Sequence, residues 1–165
     1  MRSILINLFA LSLVLFTGSA SSKDFTTRVA MLEKSAETFY VPGEIPGYGS
    51  VELMVDTGSG YMTINEQTLE VLKRESRVRF IKQLEAVLAD GSLLIVPVYS
   101  IGYMSIGQEC WIENVEAAVF PGESRLILGL SALRKTSPFI FSVDPPALLL
   151  SRCGRMPVAE PKADS

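Results

Sequence analysis

Apolar and polar residues alternate along most of the chain, in short runs separated by turn-forming clusters. Thr38 to Ile45 and Ser50 to Val55 are two β-rich runs flanking Pro46-Gly47-Tyr48-Gly49, which predicts a hairpin. Tyr61 to Ile64 is a short β-prone stretch. Asn65 is placed to cap a helix from about Glu66, whose apolar side is Leu69, Val71 and Leu72 and whose end carries Lys73 and Arg74. Val78 to Leu88 fits both helical and strand spacing. Asp90-Gly91 is a hairpin-turn dipeptide. After it come β-runs at Leu93 to Ile101, where Pro97 suggests an edge, Tyr103 to Ile106, Cys110 to Ile112, Val115 to Phe120 and Leu126 to Leu128. Ser131 to Arg134 reads as one helical turn, and Phe139 to Val143 and Ala147 to Leu150 as a last strand pair. Many short strands, frequent turns and one or two short helices predict a mainly β, closed or nearly closed barrel.

The first residues break this pattern. Arg2 precedes an apolar run from Ile4 to Phe16, and Gly18-Ser19-Ala20 fits a small-x-small cleavage site. Residues 1–20 therefore read as a signal peptide, and the protein as periplasmic or secreted. An uncleaved N-terminal anchor is the other reading; after cleavage no stable membrane span is expected. Residues 21–37 read as a flexible arm, 38–153 as the folded domain and 154–165 as a disordered tail rich in Pro, Ala and charge.

Composition narrows the chemistry. The chain has 165 residues, 48% of them hydrophobic, with a formal charge of −3. That suits a single domain with a real core and gives no electrostatic reason to expect nucleic acid. There is no histidine, which excludes Ser-His-Asp and Cys-His triads and His-ligated zinc. Glu113, Glu116 and Glu123 match no metal-ligand spacing, so no metal or other cofactor is expected. Lys73, Arg74, Arg77 and Arg79 read as a solvated face, and Trp111 as packing. Two readings of Cys110 and Cys153 stand open: one disulfide, in keeping with export, or two buried thiols.

The chemistry-bearing segment is Leu53-Met54-Val55-Asp56-Thr57-Gly58-Ser59. An acid just past a buried strand sits where desolvation and neighbours can shift its titration. Thr57 offers a hydroxyl to an interface or to backbone. Gly58 allows close backbone approach and positive φ, and Ser59 is within reach of the carboxylate. The same four residues also suit an ordinary β-turn.

The segment resembles the active-site loop of the aspartic proteases. Two further features carry the resemblance: Ile127-Leu128-Gly129, like the apolar-apolar-Gly strand beneath that loop, and Asp90-Gly91-Ser92, like the tip of a flap hairpin. Over about Thr38 to Leu150 the chain is similar to the retropepsin-like (retroviral-type, clan AA) proteases, closest in flavour to exported bacterial members. It departs from viral members at Leu130-Ser131, where an Arg-Asn pair is usual. The resemblance implies an endopeptidase acting on peptide or protein substrates. Such chemistry needs two carboxylates sharing a proton, and the chain holds one Asp-Thr-Gly. A symmetric homodimer follows, with Asp56 from each subunit, Thr57 pairing across the axis and Gly91 capping the cleft. The alternative is a catalytically silent barrel that binds peptides or assembles envelope proteins.

Overall fold

In a computed structural model, which describes residues 25–88 and 90–156, the alternating runs close into a barrel. Its strands are β3 (Thr38–Ile45), β4 (Gly49–Val55), β5 (Met62–Asn65), β7 (Leu93–Ile106), β8 (Cys110–Phe120) and β9 (Ile127–Leu128). They hydrogen-bond in the order β3-β4-β9-β5-β8-β7, and β7 returns to β3 through Gly43↔Ile106 and Glu44↔Ser105. Ser105 secures that seam. Its buried hydroxyl accepts from the Glu44 N–H at 3.0 Å and donates to the Gly107 carbonyl at 2.8 Å. β2 (Leu32–Lys34) extends the sheet beside β3, and β6 (Val78–Val87) extends it beside β7.

Inward residues of each strand build the core. Phe39, Val41 and Ile45 of β3 alternate with more exposed neighbours and meet Leu53 of β4, Met62 and Ile64 of β5, Met104 of β7 and Leu128 of β9. Helix α1 (Glu66–Arg74) adds Leu69 and Leu72 from its apolar side. Its cap is the one the sequence indicates: the Asn65 side-chain oxygen accepts from the Thr68 N–H at 2.8 Å. The Asn65 side-chain amide also donates to the Ser124 carbonyl, tying the helix start to the loop before β9. α2 (Leu130–Leu133) follows β9 directly and buries Ala132 and Leu133.

The structure corrects some sequence expectations and decides one left open. The segment 21–37 is not a loose arm over its whole length: β1 (Thr27–Ala30) and β2 are both strands. β1 pairs with β11 (Ala147–Leu150), which pairs in turn with β10 (Phe139–Ser142), forming a separate three-stranded sheet. The polar composition of 21–37 hid this, because each short strand buries almost nothing of its own beyond Val29. Val78 to Leu88, left open between helix and strand, is strand over Val78–Val87, decided by its pairing with β7. Gly102 and the pair Glu113-Asn114 do not end strands. β7 and β8 run through them in constant register, with Asn114 at φ 51°, a conformation Asn tolerates. Pro97 lies where β7 pairs with β6 alone, one residue before β8 joins at Val98, so the proline sits at a locally free edge of a strand that is interior to the sheet beyond it.

Cys110 and Cys153 form a disulfide across 43 residues of chain. It joins the segment after β11 to β8, and next to it Gly154 pairs with Trp111, so the tail begins beyond Gly154. Residues 1–24 and 157–165, where the sequence places the expected leader and most of the expected tail, lie outside the described residues. No described helix is long and apolar enough to cross a membrane. Closing a loop of this length restricts the unfolded chain by about 3–4 kcal/mol. Replacing both cysteines by serine should lower stability by roughly that amount, read as a shift of the urea midpoint at unchanged slope.

Candidate active site

Asp56 ends β4 at a place held by parallel pairing. β4 and β9 are neighbours through Met54↔Ile127 and Val55↔Leu128, and the Asp56 N–H donates to the Leu128 carbonyl at 3.2 Å. This parallel contact joins residues 73 positions apart, and the end of β9 must also come close to the loop after Asp56, which Gly129 allows. A Cβ at Gly129 would lie 2.0 Å from the Tyr61 carbonyl oxygen and 2.9 Å from that of Ser59. Beyond the glycine, the Leu130 N–H donates to the Ser59 carbonyl at 2.8 Å and the Ser131 N–H to the Gly60 carbonyl at 3.0 Å. The loop 57–60 is thereby anchored at its far end as firmly as at its start.

Within the loop, the Gly58 N–H donates to Asp56 Oδ1 at 2.8 Å. Gly58 is not in a positive-φ conformation. It is needed for close approach, since a Cβ there would stand 3.1 Å from the same carboxylate oxygen. Ser59 does not bond the carboxylate: its hydroxyl donates to the Tyr61 carbonyl at 2.7 Å and braces the loop instead. The turn rotates Ser59 toward the chain that follows. Thr57 is exposed. One carboxylate oxygen of Asp56 is thus oriented by a backbone donor, and among the described residues no donor meets the other.

Asp56 opens onto a cleft of about 690 Å³. Gly58, Ser59, Gly60 and Tyr61 form its floor, Ile127 and Phe120 one wall, and Leu84, Ala86, Val87 and Leu88 of the β6–β7 hairpin the roof. Ala118, Thr63, Ser124 and Arg125 complete the lining. At the hairpin turn the Leu88 N–H donates to the Ser92 carbonyl, and Gly91 takes φ 82°. Asp90 accepts from both the hydroxyl and the N–H of Ser92. Those bonds, the hydroxyl's first, hold the Asp90 carboxyl below its ordinary pKa. The tightened turn therefore keeps its charged form to lower pH than a free aspartate would, and loosens only as pH falls through that depressed value. Asp90, Gly91 and Ser92 form the exposed tip, while the roof facing Asp56 comes from the β6 arm behind it. The two arms of the hairpin together expose Val87 (72%), Leu93 (62%) and Ile95 (69%), a patch of apolar surface that suits an occupant or a partner.

Three contributors were not singled out in the sequence. Ser131 is one: its hydroxyl accepts from the Met62 N–H at 2.7 Å and donates to the Glu116 carbonyl at 2.6 Å, joining β5, β8 and the start of α2 under the loop. Tyr61 is another, with Lys82 of β6 placed 5.4 Å from its ring centroid. Arg125 is the third. Ser131 and Arg125 both flank the apolar-apolar-Gly strand, and polar side chains abutting a strand that must be buried are the signal that could have found them. Among the described residues no cluster of His, Cys, Asp or Glu could hold a metal ion.

Comparison with known proteins agrees with this geometry. The family described as "gag-polyprotein putative aspartyl protease" matches residues 41–135, from β3 through α2. No curated protein sequence matches the chain. Among solved structures, a retropepsin-like aspartic protease from Rickettsia conorii superposes with a TM-score of 0.54 at 16% identity, covering 75% of this chain and 90% of that one. At that identity the likeness speaks to the fold, which is the mainly β retropepsin-like one. The matched segment spans more than half of the chain and holds the Asp56 loop, the hairpin over it and the strand beneath it; the chain belongs to the retropepsin-like aspartyl protease family.

Proposed function

We propose that the protein is an aspartic endopeptidase that works as a homodimer, with Asp56 of each subunit forming a dyad at the two-fold axis. The observation that carries this reading is the fixed Asp56 carboxylate at the floor of a roofed, largely apolar cleft. One chain supplies one such carboxylate, and the chemistry requires two. With a single proton shared between them, the ionised member takes a proton from water while the protonated member donates to the scissile carbonyl oxygen. The C–O bond to water forms and a tetrahedral diol results. Its collapse breaks the C–N bond as the nitrogen receives a proton, and no bond to the enzyme is made. An extended peptide would lie under the hairpin as an added strand. The apolar surface on Val87, Leu93 and Ile95 gives the hairpin something to bury when substrate or a second subunit arrives.

Export to the periplasm or the extracellular space belongs to the same reading, with the leader removed near Ala20. The Cys110–Cys153 disulfide supports it, since such bonds persist in oxidising compartments.

The test is cleavage of a diverse peptide pool by the processed protein between about pH 3 and pH 7, where a coupled dyad titrates. The assay is repeated over a dilution series with sedimentation equilibrium alongside. A bell-shaped pH profile, with specific activity falling as the dimer dissociates, is the expected result. No cleavage by a folded dimer would favour the silent peptide-binding barrel instead.

A further inference from the structure

We propose that Arg125 selects substrates carrying a carboxylate side chain close to the scissile bond, an inference that rests on the proteolytic reading of the cleft. Among the described residues lining the cleft, Arg125 is the one cationic side chain. Leu84, Val87, Phe120 and Ile127 line the same cleft, and apart from Asp56 its other polar side chains are uncharged, which leaves a charge preference to Arg125.

The guanidinium is available for that role. Among the described residues its one side-chain hydrogen bond is from Nη1 to the Met54 sulfur at 3.6 Å, a weak acceptor that occupies one of five donors. The ion pairs among the described residues are Lys34–Glu52 and Lys73–Glu70, so no described carboxylate lies within ion-pairing distance of Arg125. Its backbone, by contrast, is fixed from both sides. The Ser124 carbonyl accepts from the Asn65 side chain at 3.1 Å, and the Leu126 carbonyl accepts from the Met54 N–H at 3.0 Å. Arg125 thus projects from a rigid segment two residues before Ile127, which itself lines the cleft beside Asp56.

An exposed arginine is most often a solvated surface group. This one differs in lining a largely apolar cleft, with no described carboxylate within ion-pairing distance. An extended peptide presents alternate side chains to one wall. A Glu or Asp at the position facing Arg125 would meet an unengaged fork able to bind both carboxylate oxygens. In a two-fold dimer the second subunit offers the same arginine to the other half of the peptide, so acidic residues are favoured on both sides of the bond.

The experiment uses the protein expressed with its leader and purified in processed form. Its substrates are paired peptides with a central apolar dipeptide and Glu or Gln at each of the three flanking positions on either side. Wild type is read as kcat/KM, and Asp56→Asn as Kd by fluorescence anisotropy of the same labelled peptides. The Glu member of the favoured pair should be preferred about five- to tenfold at low salt, less as salt is added. Arg125→Lys should keep the preference, and Arg125→Glu should turn it toward Lys-containing peptides. Equal handling of Glu and Gln at every position, or an unaltered preference in Arg125→Glu, overturns the inference even where cleavage proceeds. Preference in the binding arm with no cleavage by wild type upholds the role of Arg125 and sinks the proteolytic reading. Absence of binding and cleavage alike overturns both.

Discussion

Replacing Asp56 by Asn should reduce peptide cleavage by at least about a thousandfold while leaving the fold intact. Asn keeps the shape and can still accept the Gly58 N–H, which in the wild-type chain reaches Asp56 Oδ1 at 2.8 Å. It cannot take a proton from water. The melting temperature should therefore stay within a degree or two of wild type, separating lost chemistry from lost structure. Subunit mixing then tests the dyad itself. Wild-type and Asp56→Asn chains exchanged at equal concentration give half mixed dimers, each with one competent carboxylate. If both are needed, activity per wild-type chain falls to about half, tracking the statistical fraction of wild-type pairs. Activity that stays proportional to wild-type chains would mean that each subunit acts alone, and the two-carboxylate mechanism would be wrong.

Gly129→Ala should cost more stability than any other single methyl added to this domain. The new Cβ would have to occupy space 2.0 Å from the Tyr61 oxygen and 2.6 Å from its carbonyl carbon, both backbone atoms with no rotamer to yield. Relief requires β9 to move away from the loop. That stretches the bonds from Leu130 to Ser59 and from Ser131 to Gly60, and with them the Asp56 N–H bond to Leu128. A loss of about 3 kcal/mol or more is expected, enough to lower the melting temperature by roughly ten degrees. Gly60→Ala is the matched control. It sits in the same loop, has nothing within 4 Å of its would-be Cβ, and should change stability by under about 1 kcal/mol. Similar melting points for the two variants would show that close packing under the loop is not what holds it.

The barrel was legible from the sequence where alternation was long and turns were sharp. Thr38–Ile45, the strand before Asp56 and the Asn65-capped helix all lie where their residues indicated. Strand pairing was not legible. Nothing local in Thr27–Ala30 announces a partner at Ala147–Leu150, because that stability comes from a neighbour more than a hundred positions away. Ambiguity over Val78–Val87 has the same origin: its apolar residues serve one face of a half-exposed hairpin, and periodicity alone does not choose between 2.0 and 3.6 over ten residues. At the site, residues carrying chemistry stood out while those carrying support did not. Asp56, Gly58 and Gly129 are marked by type and spacing. Ser59 shows the limit: its proximity in sequence pointed to the carboxylate, yet its hydroxyl turns to Tyr61. Ser131 and Arg125 became visible only when β9 was laid against β4.

The parallel seam between β4 and β9 also sets an order of events during synthesis. A growing chain emerges N-terminus first, and Asp56 leaves the ribosome some seventy residues before Leu128, which accepts its N–H. Until then the loop has one anchor and no floor. The first strand waits longer still, since Thr27 pairs with Leu150. Contacts this distant close late and slowly. A nascent chain consequently holds no complete cleft until the last third of the polypeptide has been made.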